Sequence, residues 1–157
     1  MNRRKPMKKS TEYFDNILKS SSLKDFDSIV KELPPQKELT FTEYFNRFIF
    51  EHELVLSDVI KSSLISKDYA YQLINGRKKP TKDRVIALCV AAGMSFDEIN
   101  RALKICNVGT LYSKNDRDTA ITLCIHNNIT SVTAINDFLF DHNLPILETS
   151  KEAKNQQ

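Results

Sequence analysis

The densest set of groups able to engage another macromolecule lies between Ser66 and Lys82. Lys67, Asp68, Tyr71, Gln72 and Asn75 recur at spacings that place them on one side of a helix, with Ala70, Leu73 and Ile74 on the other. A polar helix side of this kind matches the width of a DNA major groove, where base edges offer donors and acceptors. Gln72 can pair bidentately with adenine, Lys67 can donate to guanine O6 or N7, and Tyr71 can meet a thymine methyl or a phosphate. Asp68 can accept from cytosine or repel wrong bases. Ser66, Asn75, Arg77, Lys78, Lys79 and Lys82 would contact the phosphate backbone, fixing register without reading sequence. Arg3, Arg4, Lys5, Lys8 and Lys9 form a basic stretch that can act as a mobile DNA arm.

The formal charge of +3 hides an uneven distribution. Residues 1–10 carry +5, residues 11–60 carry −5, residues 61–104 carry +5 and residues 105–157 carry −2. A polyanion would feel the two basic segments, not the total. Other chemistry lacks a motif. The sequence has no glycine-rich phosphate loop, nucleophile elbow or paired-acid constellation, so no enzyme and no cofactor are expected. His52, His126 and His142 are scattered, and no metal site is expected. Cys89, Cys106 and Cys124 sit 17 and 18 residues apart within apolar patterns, matching neither a disulfide framework nor a zinc motif. They read as small hydrophobes in a reducing cytoplasm. No apolar run approaches the length of a membrane span, so no membrane partner is expected.

With 3 glycines and 5 prolines in 157 residues, the elements that must position these groups are helical. Short helices are expected over Thr11–Leu18 and Ser22–Leu33, ended by Pro34-Pro35. Phe41, Tyr44, Phe45, Phe48 and Ile49 form one apolar stripe on a helix reaching His52. Ser57 and Ser66 can cap the next two helices, which carry Val59 with Ile60 and Ala70 with Leu73 and Ile74. Asn75-Gly76 stops the second and Thr81 opens a helix over Lys82–Ala92 that ends at Gly93. Ser95 and Glu98 form a capping box for Phe96–Cys106.

The chain then repeats itself. Val85–Val90 aligns with Ala120–Ile125 at an offset of 35; after one inserted residue, Ile99-Asn100 aligns with Ile135-Asn136 and Val108–Leu111 with Leu144–Leu147. Two copies are too few for a solenoid, and a duplicated helical hairpin stacked on its neighbour is expected. The residues after Glu148 read as a frayed end.

Val59-Ile60, Ile65-Ser66, Tyr69, Leu73 and Asn75-Gly76-Arg77-Lys78-Lys79-Pro80-Thr81, followed by Leu88, Gly93, Met94, Ser95 and Ile99, make Leu54–Ile99 similar to the DNA-binding domain of the phage-repressor-like (Cro/cI, Xre-type) helix-turn-helix family. Together with the duplicated hairpin, Tyr69–Ile74, Gly76, Arg77 and Pro80 resemble a bacterial subgroup bearing an extra helical hairpin. The resemblance implies an all-α chain. Its parts would be a basic tail (1–10), N-terminal helices (11–36), a five-helix DNA-binding domain (37–108), an appended hairpin (109–147) and a flexible end (148–157). It implies a nucleoid-associated transcriptional regulator, a repressor acting as a homodimer on double-stranded DNA, with the hairpin or N-terminal helices as dimer or protein-partner surface. Leu64 stands where the family usually has glycine, which implies a turn without positive φ. The rival expectation is a helical protein-interaction adaptor or antitoxin-like regulator of a phage or defence system, its helix-turn-helix serving as scaffold.

Overall fold

A computed structural model describes residues 9–33 and 38–150, and all regular structure among them is helical. The chain divides into two compact units, residues 1–38 and 39–157. In the first, Ser10 caps α1 (Thr11–Ser20) by accepting from the Tyr13 N–H, and a 3-10 turn (Leu23–Asp25) leads into α2 (Phe26–Glu32). None of the three elements contains a buried residue.

The second unit holds α3 (Phe41–Glu51), α4 (Leu56–Ser62), α5 (Lys67–Ile74), α6 (Lys82–Ala91), α7 (Phe96–Ile105), α8 (Asp116–His126) and α9 (Val132–Asp141). Local chemistry starts most of these helices. Thr40, Thr81, Asn115 and Ser131 each accept from a backbone N–H of the first turn, and Ser95 with Glu98 completes the expected capping box. Each cap contributes about 1 kcal/mol by satisfying a donor with no partner inside the helix. One core, with Phe45, Leu73, Ile86, Leu88, Ile99, Leu103, Ile121, Ile135 and Leu139 fully enclosed, runs from α3 to α9. The second hairpin therefore shares its interior with the helices before it.

Two expectations at α4 are corrected. The helix starts at Leu56 with Val55 in the N-cap position and no side-chain cap, so Ser57 lies inside the first turn. The turn after α4 does use positive φ: Leu64 sits at +64°. The buried Ser63 hydroxyl accepts from the Ile65 N–H and donates to the Ile60 carbonyl, which locks the turn around the strained leucine. A left-handed non-glycine residue costs about 1–2 kcal/mol.

The duplicated hairpins match bond for bond. Asn100 Oδ1 accepts from the Leu111 N–H at 2.9 Å, and Asn136 Oδ1 accepts from the Leu147 N–H at 2.9 Å. Gly93 and Asn128 take the same left-handed turn position, as do Asn107 and Asn143. The two copies also grip each other reciprocally. Lys82 Nζ meets Asp118 at 2.8 Å and Arg117 meets Asp83 at 2.9 Å. The Tyr112 N–H donates to Asp118 and the Glu148 N–H donates to Asp83, both at 2.9 Å. α6 packs on α9 as α7 packs on α8. Exchanging the copies exchanges every pair, so a pseudo-two-fold axis relates them. Head-to-tail stacking would advance the contacts along the chain; here they close on themselves.

The C-terminal segment is likewise not frayed over its described part. Leu147 is buried, the Glu148 N–H is bound to Asp83 and the Ser150 carbonyl accepts from Arg84. The expected flexibility of residues 151–157 falls outside the described residues.

Candidate nucleic-acid interface

α4 and α5 are joined by residues 63–66, and α5 is fixed from below by Tyr69, Ala70, Leu73 and Ile74, all buried. α3 and α4 pack against it. That arrangement turns Lys67, Asp68, Tyr71 and Asn75 to the exterior. Ser66 holds the N-cap position of α5, yet its hydroxyl makes no cap bond to the helix. Asp68 lies in the first turn of α5, where a carboxylate is favoured by the unsatisfied N–H groups.

The basic loop is built by backbone chemistry. Asn75 closes α5, its side-chain oxygen accepts from the Arg77 N–H at 3.2 Å, and the Lys78 N–H donates to the Gln72 carbonyl at 3.0 Å. Between them Gly76 has φ +84°, and a Cβ there would stand 3.3 Å from Thr42 Oγ1 on α3. Both the left-handed conformation and the close approach favour glycine. The loop consequently holds Arg77, Lys78 and Lys79 exposed. None of these three, nor Lys67, takes part in an ion pair among the described residues. From residue 61 to 79 there are five cations and one carboxylate.

Gln72 and Lys82 are placed differently from expectation. Gln72 is half-buried at the edge of the α5 face, its Oε1 enclosed without a hydrogen-bond partner. It can read a base only after a rotamer change that frees this oxygen. Lys82 belongs to the reciprocal pairs described above: Asp118 and the Thr110 carbonyl hold its ammonium, so the expected phosphate contact gives way to a structural one. Lys9, in the N-terminal unit, donates to Tyr13 Oη at 3.2 Å and pairs with Glu32 at 3.5 Å. The Tyr13 hydrogen bond is the main influence raising its pKa. Arg3, Arg4, Lys5 and Lys8 lie outside the described residues.

Two contributors escaped the sequence reading. Arg84 is buried, with its guanidinium over the Tyr69 ring at 4.9 Å and bonded to the Ser150 carbonyl, so it braces α5 from behind. Its place in the α6 pattern, three residues after the Thr81 cap, was the available signal. Lys61 adds an exposed cation in the last turn of α4.

The cysteines and Tyr44 serve the interior. Burial pushes the Cys89 and Cys124 thiols up and holds Cys106 at about 11, which keeps all three protonated near neutrality. Tyr44 donates to the Glu98 carbonyl at 2.9 Å, and burial raises its pKa. Among the described residues no three His, Cys, Asp or Glu side chains converge as a metal site, and no helix is long and apolar enough to cross a membrane. No family model, curated protein or solved structure matches the chain.

Proposed function

We propose that this chain is a sequence-specific double-stranded DNA-binding transcriptional regulator, a repressor acting as a dimer on a two-fold-related operator. The observation that carries the reading is the outward polar side of α5 beside three exposed cations with no ion-pair partner among the described residues. Lys67, Tyr71 and Asp68 would face base edges. Ser66, Asn75, Arg77, Lys78 and Lys79 would face phosphates, and Gln72 would join the readout on rotation. Half-sites would lie about one helical turn, near 34 Å, apart.

Titrating labelled duplex at several salt concentrations tests the reading. Each phosphate contact contributes a slope of about −0.9 in log K against log salt, so neutralising Arg77, Lys78 and Lys79 together should flatten it by roughly 2.7. Affinity indifferent to salt, or unchanged by the triple substitution, refutes it. Lys67→Ala should change base preference at one position, not weaken all sequences equally.

Exposed Val55 and Leu64, at the two ends of α4, favour a second reading: a protein-interaction adaptor with the helix pair as scaffold. One stoichiometric protein partner with no duplex binding at low salt would select it.

A further inference from the structure

The N-terminal unit is an anomaly of packing. Leu23, Phe26 and Val30 fall at i, i+3 and i+7 along the 3-10 turn and α2, Leu33 follows at the C-cap, and all four are exposed, Leu23 at 97% and Phe26 at 68%. Leu18 on α1 is exposed beside them in sequence. Helices of 10 and 7 residues with nothing buried cannot persist on their own propensity, since isolated helices shorter than about 12–15 residues are marginal in water. Their order demands a cover for these side chains.

We infer that the cover is the same set of side chains on a second copy, so that α1 and α2 of two chains form the dimer surface of this protein. Three observations select this occupant. The described residues 9–33 carry four cations and five carboxylates interleaved along the chain, a net −1 that lets identical faces meet without strong repulsion. A polyanion would find no basic patch on these two helices. The five exposed apolar side chains offer on the order of 500 Å² per copy, so two copies together reach the roughly 1,000 Å² that a specific interface requires. A symmetric pairing also makes a two-fold assembly, and this part of the argument rests on the DNA reading, whose half-sites need two copies of α5.

The test is the mass of the full chain in solution without DNA, which separates this inference from the DNA reading. The wild-type chain should sediment at twice its 18.1 kDa mass, and Leu23→Glu/Phe26→Glu should sediment as a monomer with the thermal melt of residues 39–157 unchanged. Phe140→Glu, at a side chain 74% exposed on α9, should leave the dimer intact. Amine cross-linking of mixed light and heavy isotope-labelled wild-type chains should give mixed-isotope links among Lys19, Lys24 and Lys31. On a two-fold duplex the double variant should bind roughly tenfold more weakly while single half-site binding is unchanged. A monomeric wild type, a dimer that survives the double substitution or dissociates with Phe140→Glu, or cross-links confined to one isotope overturns the inference.

Discussion

The two copies of the hairpin have the same turns and the same asparagine bridges, yet α6 is buried on every side and α8 is not. From Arg84 to Val90 no residue of α6 reaches solvent appreciably, whereas α8 buries only Asp118, Ala120, Ile121 and Cys124. The equivalent residues Leu88 and Leu123 are 0% and 52% exposed. The cause is α4, which packs against α6. Where α6 has Arg84, Ala87 and Ala91, the second copy has Thr119, Thr122 and His126, side chains that tolerate water. One duplicated hairpin thus yields a platform that carries the candidate interface and a counterpart that closes the other side of the pseudo-two-fold core.

The largest effect should separate the copies. Leu88→Ala should cost about 3–4 kcal/mol through lost burial and the cavity left behind, and Leu123→Ala well under 1 kcal/mol, read from denaturant unfolding. Equal losses would break the comparison. The reciprocal ion pairs should come next. Asp118→Ala removes the carboxylate holding Lys82 and the Tyr112 N–H and should cost about 3 kcal/mol, with Asp83→Ala somewhat less because the Arg117 pair is more exposed on the carboxylate side. A double-mutant cycle returning no coupling between Lys82 and Asp118 would dismiss the pair as a link between copies.

The asparagine bridges sharpen the likeness. Asn100→Ala and Asn136→Ala should each cost about 1–2 kcal/mol, and equally, because each leaves one backbone N–H without its partner. The smallest effect concerns the turn before α5. Leu64→Gly should raise stability by about 0.5 kcal/mol, the relief of left-handed strain exceeding the added entropy of the unfolded chain. A loss of stability would mean that the exposed Leu64 side chain contributes packing that its solvent exposure conceals.

How far these features could be read in advance follows from their range. Thr81 and the Ser95–Glu98 box were legible because a cap acts over three residues, and the repeat was legible because copies of one hairpin keep their turn residues. The outward side of α5 followed from helical spacing alone. Leu64 misled because its sign of φ is imposed by the helices it joins and by Ser63, not by its own preference. Lys82 and Arg84 were misplaced or missed for a shared reason: Asp118 and Ser150, which hold them, come from far outside their own helical turn.

Periodicity and short-range capping are properties of contiguous residues, and they determined an all-helical chain, a doubled hairpin and a polar helix side followed by three cations. Which cations stay exposed, which are consumed by carboxylates 34–36 positions away, and how two copies close about an axis are set only when distant segments compete for the same partners. Folding resolves that competition because a buried charge must find its counter-charge wherever the packed chain supplies one.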